Sequence, residues 1–116
     1  MIAIDTNLLV YAHRADAAWP DVAYACIKER AEGTTPWAIP WPCIHEFLAV
    51  VTHQRIYSLP TPIDKALEQV DAWLDSPSLV LLGETDGYWP HLRRLVLKGR
   101  VAGPLVHDAR VASLCI

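Results

Sequence analysis

Short apolar runs alternate with longer stretches of helical periodicity along most of this chain. Met1-Ile2-Ala3-Ile4 reads as a short buried strand delivered directly into the polar cluster Asp5-Thr6-Asn7, which suits a strand end and a helix cap. Leu8, Leu9 and Tyr11 through His13 continue as helix. A further helix is predicted from Pro20 to Ala31, with Tyr24, Cys26 and Ile27 among its apolar members and Gly33 stopping it. Ala38-Ile39-Pro40 reads as a second strand. Because Pro36 and Pro40 hold it short, it is expected at a sheet edge or to end abruptly.

Pro42 then opens a helix whose apolar face is Ile44, Phe47, Leu48 and Val51, with Glu46 beside that face. In Thr61-Pro62-Ile63-Asp64, Thr61 is the expected cap, Pro62 the first helical residue and Asp64 the third. Ile63, Ala66, Leu67, Val70 and Leu74 follow at helical spacing, as far as Ser76-Pro77. Ser78 to Leu82 is a compact apolar strand closed by Gly83. Thr85 is the expected cap of a helix carrying Leu92, Leu95 and Val96, which Gly99 ends. Pro104 starts a last helix through Leu105, Ala109, Ala112 and Ile116. Strands alternating with longer helices predict an α/β fold with a parallel sheet covered on both faces. Sites in such folds lie beyond the carboxyl ends of the strands, where Asp5 stands.

At 116 residues the chain supports one domain with one core. No apolar run reaches the roughly 18 residues of a membrane span. The opening run meets Asp5 too soon to be a signal peptide, so a cytoplasmic protein is expected. Cys26, Cys43 and Cys115 form no CxxC pair and are read as buried reduced thiols. The formal charge is −3, yet Arg93, Arg94, Lys98, Arg100 and Arg110 cluster in one segment whose single acid is Asp108. Such local concentration of charge matters more for nucleic-acid binding than the net sum.

Three acids have apolar sequence neighbours: Asp5 after Ile2-Ala3-Ile4, Glu46 before Phe47-Leu48, and Asp108 after Leu105-Val106. Carboxylates gathered without a cation repel one another, whereas a hard divalent ion rewards ionised oxygen ligands. The chemistry this points to is phosphodiester hydrolysis by Mg2+ or Mn2+ held by Asp5, Glu46 and Asp108. Thr6 and Asn7 are auxiliary polar groups that orient Asp5, ligate or steady a water. A helix cap at Asp5-Thr6-Asn7 with ordinary surface acids at Glu46 and Asp108 stays open beside it. His45 and His107 adjoin two of the acids, but neighbouring helix positions point about 100° apart, and roles at the surface or in support of a ligand are expected. Arg14, Arg93 and Arg94 are candidate phosphate contacts. Trp89, near Arg93, is the tryptophan suited to stacking on an RNA base, while core or protein-interface roles are expected of the others. GxGxxG, P-loop and GxSxG patterns are all absent.

Met1-Ile2-Ala3-Ile4-Asp5-Thr6-Asn7-Leu8-Leu9-Val10-Tyr11-Ala12 resembles the opening of a PIN domain, specifically a bacterial toxin of the VapC type. Ile44-His45-Glu46-Phe47-Leu48 resembles that family's second acidic motif. Leu105-Val106-His107-Asp108-Ala109-Arg110-Val111-Ala112 resembles its third, and the order is right. The resemblance implies a PIN-like three-layer α/β/α fold with a central parallel sheet. It implies the toxin of a type II toxin–antitoxin pair, a magnesium- or manganese-dependent endoribonuclease acting on RNA. It further implies a homodimer controlled by a cognate antitoxin. Asp5 and Asp108 are then metal ligands, Glu46 binds directly or through water, and Asn7 or Thr6 assists. The family's usual further segment, of the type Asp-Arg-Asp-Phe, has no counterpart before Ile116. The expectation is therefore a single domain over residues 1–116, truncated at its C-terminus and lacking the closing strand. Two alternatives are a PIN-like module that binds RNA or protein without cutting, and another magnesium-dependent phosphotransfer enzyme. The second is weakened because residue 7 is Asn where a DxDxT pattern needs Asp.

Overall fold

Each short apolar run contributes a strand and each longer periodic one a helix, but Ile2 and Ala3 are exposed, so the expectation of a buried first strand holds only at Ile4. The computed structural model describes residues 1–16 and 19–115. The elements are β1 (Ile2–Ala3), α1 (Thr6–His13), α2 (Pro20–Glu32), β2 (Trp37–Pro40), α3 (Trp41–Val51), α4 (Ile63–Leu74), β3 (Leu79–Leu82), α5 (Tyr88–Gly99) and α6 (Leu105–Leu114). The strands form one sheet in the order β1-β2-β3. β1 runs parallel to β2, with Ile2 opposite Trp37 and Ala3 opposite Ala38. The Ile4 N–H prolongs that ladder by donating to the Ala38 carbonyl at 2.8 Å, and the Trp37 N–H donates to the Ser78 carbonyl at 3.1 Å. This is the α/β class with a central parallel sheet flanked by helices, of PIN-like three-layer type.

β2 is the middle strand, and all four of its residues are buried. The expectation of an edge position is thereby corrected, while the abrupt end is observed. Pro40 lacks an N–H for the ladder, but it is the last strand residue. Its φ of −64° already suits the helix that begins at Trp41.

The chain forms two compact units, residues 1–81 and 82–116. In the first, Leu9, Trp37, Ile39, Phe47 and Val51 are fully buried. The Phe47 ring meets Trp73 edge to face at 4.8 Å and His13 at 5.2 Å, joining α3 to α4 and α1. Trp37 and Trp73 thus have the expected core roles, whereas Trp19 is exposed and Trp41 lies at the surface beside His45. The buried stripe of α4 is Ala66, Val70 and Trp73. Ile63, Leu67 and Leu74, expected inward, are exposed, and the buried face is centred on Ala66, Val70 and Trp73, of which Trp73 packs on Phe47. Thr61 does not cap α4, whose N-cap is Pro62 without a side-chain bond. Its hydroxyl instead meets His13 Nε2 at 3.1 Å and accepts from Arg14 at 3.2 Å.

Within the second unit, α5 and α6 pack together. Arg110 pairs with Glu84 at 3.4 Å. Ala109, Ser113 and Leu114 are the buried residues of α6, and the Ser113 hydroxyl donates to the Ala109 carbonyl at 2.7 Å. Gly87 rather than Thr85 is the N-cap of α5. Gly99 is still helical, and Arg100 takes the left-handed closing position at φ 49°. Ile116, expected to continue the last helix, lies outside the described residues. Among the described residues, no helix is long and apolar enough to cross a membrane.

Candidate active site

Parallel neighbours bring their carboxyl ends to the same side of a sheet, so the helices that follow β1 and β2 start close together. α1 starts at Thr6 and α3 at Trp41, which places Asp5 near the first turns of α3. Asp5 is the N-cap of α1 with extended backbone, φ −86° and ψ 163°, yet its carboxylate makes no capping bond. The cap reading of this side chain is therefore not realised. Its Oδ1 accepts the S–H of Cys43 at 3.7 Å.

One turn beyond Cys43 on the same helix face stands Glu46. Its Oε2 accepts the Thr6 hydroxyl at 3.1 Å. Thr6 is 4% exposed, so a hydroxyl left without a partner there would carry a desolvation penalty. Asn7 is exposed on the next position. Asp5, Thr6, Cys43 and Glu46 therefore form one connected polar cluster in the first unit, built from two elements.

Asp5 and Glu46 themselves are exposed, as is Asp108. Ile4 and Phe47, next to Asp5 and Glu46 in sequence, are buried, whereas Leu105 and Val106 before Asp108 are exposed like the acid itself. Apolar flanks thus do not mean buried carboxylates here. Asp108 lies in the first turn of α6, in the second unit; an acid there is favoured by the positive end of the helix dipole. Among the described residues, no group of three or more His, Cys, Asp or Glu side chains is arranged to hold a metal ion.

Cys43 is fully buried, Cys26 half-buried and Cys115 exposed, so the expectation of three buried thiols holds for Cys43 alone. Burial is the main cause that pushes the Cys43 thiol above its ordinary value. The negative charge of Asp5 and the bond to it push the same way, against hydrogen bonds from Thr6. Cys43 is accordingly a neutral donor rather than a thiolate ligand. What remains for a cation is carboxylate oxygen from Asp5 and Glu46. That donor set fits a hard ion such as Mg2+, which binds through one or two carboxylates and keeps several waters.

The other sequence-predicted residues divide sharply. Arg14 donates to both carboxylate oxygens of Asp16, at 2.8 and 2.6 Å, and to the Leu59 carbonyl at 2.8 Å. Its guanidinium also stacks 3.9 Å from the centre of the Tyr57 ring. These bonds pin the 52–62 connection to the end of α1 and leave the guanidinium engaged. Trp89, Arg93 and Arg94, by contrast, line one open groove on α5 together with Pro90, Leu97 and Lys98. Trp89 is 64% exposed. His45 and His107 are at the surface. Cys43 was not among the sequence-predicted site residues. Its signal was its place one turn before Glu46.

An α/β domain with one acid at the carboxyl end of a parallel strand and a second in the early turns of the helix after the next strand has the make-up of a PIN-type domain. No protein-family model matches the chain. Ribonuclease VapC43 of Mycobacterium tuberculosis (strain ATCC 25618 / H37Rv) is 30% identical over 116 residues, covering all of this chain and 79% of that protein. Ribonuclease VapC33 of the same strain is 32% identical over 113 residues, 97% of this chain and 79% of its own length. Ribonuclease VapC48, also of that strain, is 28% identical over 110 residues, 95% and 76% of the two chains. The chain belongs to the VapC family of PIN-domain toxins.

Proposed function

We propose that this protein is the toxin of a type II toxin–antitoxin pair, a cytoplasmic endoribonuclease that uses Mg2+ or Mn2+ to cut RNA phosphodiester bonds. The observation that carries the reading is the pair of bonds Thr6–Glu46 and Cys43–Asp5, joined by hydrogen bonding between Thr6 and Cys43. Membership of a family whose relatives are named ribonucleases supports it.

Asp5 and Glu46 of the first unit would hold the cation. The chemistry such an ion would supply there is polarisation of the phosphate and activation of a water for attack. Thr6 keeps Glu46 in place by its hydroxyl bond, which removes one freedom from an exposed side chain. Asn7, exposed beside Asp5, offers its amide to a substrate oxygen or to the attacking water. On α5, Arg93 and Arg94 bind phosphate oxygens and Trp89 stacks on an unpaired base. Arg14 is left out of the substrate contacts because its guanidinium is already engaged. A cognate antitoxin and a second copy of the chain are the protein partners this reading implies.

The test is RNA cleavage by the purified chain with added Mg2+ or with chelator. Cleavage that requires the ion and vanishes in Asp5→Asn, with the circular dichroism spectrum unchanged, is the expected result. Cleavage that survives both chelation and the substitution overturns the mechanism.

A further inference from the structure

The carboxylates of Asp5 and Glu46 are each held by one donor from the opposite element. Thr6, the first residue of α1, reaches Glu46 on α3. Cys43 on α3 reaches Asp5, the cap of α1. The first brace is a hydroxyl and the second a thiol, and both donors are buried while both carboxylates are exposed.

We propose that Cys43 is a positioning residue, whose thiol fixes the Asp5 carboxylate in the orientation that binds the divalent cation. The inference rests on the metal-dependent reading above and adds the residue that sets the geometry of its first ligand. Asp5 has no capping bond to hold it. Without Cys43, its side chain is an exposed rotor at a strand end, and ordering it falls on the cation, which weakens binding. The Cys43 side chain has no such freedom, because it is fully enclosed. The brace crosses between elements, so it also ties the first turn of α3 to the start of α1. A thiol suits this place, since it behaves as a small apolar group in a packed setting and still carries one S–H donor.

The experiment measures the Mn2+ dissociation constant of the full chain by electron paramagnetic resonance for wild type, Cys43→Ser, Cys43→Val and Cys43→Ala, with thermal melts in parallel. Valine fills the space without a donor; serine keeps a donor in nearly the same volume. Valine and alanine are expected to weaken Mn2+ binding roughly two- to tenfold, and serine to stay within about twofold of wild type. Valine binding as tightly as wild type overturns the inference, as does serine losing as much as valine. A wild-type chain that binds no Mn2+ overturns the metal-dependent reading itself. Tight wild-type binding matched by the valine variant removes only the role of Cys43.

Discussion

The hydroxyl of Thr6 and Oε2 of Glu46, forty positions apart in sequence, lie 3.1 Å from one another. That bond joins the first turn of one helix to the second turn of another, and it orients an acid that is otherwise free in solvent. A bond to a charged acceptor is worth about 1.5–3 kcal/mol. Thr6→Val, which keeps the shape and removes the donor, is therefore expected to reduce cleavage by roughly tenfold or more. Thr6→Ser should retain most of it. Initial rates at saturating Mg2+, with melting temperatures alongside, check this; equal rates in the valine variant contradict it.

The packing of Phe47 against His13 and Trp73 holds the helices on which the cluster is built. Phe47 is fully buried. Phe47→Ala is expected to cost about 3–5 kcal/mol, a large part of the stability of a small domain. Urea denaturation should show a folded fraction that is low or absent without denaturant, and a midpoint near that of wild type would contradict the assigned core.

Arg14 and Asp16 give a sign for the acid dependence of stability. The bond from Arg14 is the main cause that holds the Asp16 carboxyl below its ordinary value. A group with a lowered folded pKa stabilises above its unfolded pKa, and the contribution is lost as pH falls through the folded one. Asp16→Asn should therefore remove a small part of the loss of stability seen as the pH falls through and below the ordinary carboxylate range. The effect is small because Asp16 is exposed to solvent. Arg14→Ala should be more damaging, since it also releases the Leu59 carbonyl, the Thr61 hydroxyl and the Tyr57 ring. Melting temperatures across that pH range decide both.

On α5 the groove of Trp89, Arg93 and Arg94 lies outside any buried contact, since no residue of that helix is fully buried. Arg93→Ala and Arg94→Ala should weaken RNA binding and lower the slope of log affinity against log salt by about 1 each. Trp89→Ala should weaken binding by about 1–3 kcal/mol with little change in the salt slope. Filter binding at several salt concentrations separates the two effects.

The sequence carried the parts of this arrangement that depend on local periodicity. Met1 to Ile4 leading into Asp5, the start of α3 at the Trp41-Pro42 pair, and the apolar run of β3 all follow from spacing and from Pro and Gly. Partners chosen across long separations were not legible. Thr61 has the chemistry of a cap, but His13 and Arg14 engage its hydroxyl first. Arg14 has the chemistry of a phosphate contact, but Asp16 and the Leu59 carbonyl hold it. Pro36 and Pro40 left β2 either at an edge or ending abruptly, and the second holds, because Pro40 is the last strand residue and helix follows at once. For the acids, sequence neighbours gave the wrong exposure: Phe47 is buried and Glu46 beside it is not.

The most direct measurement is a double-mutant cycle in Mn2+ affinity with Asp5→Asn, Glu46→Gln and both together. Two carboxylates that hold one ion should give large single losses and a double variant far less damaged than their sum. An Asp5→Asn chain that binds Mn2+ like wild type, or losses that simply add, would show that these two acids do not share a cation.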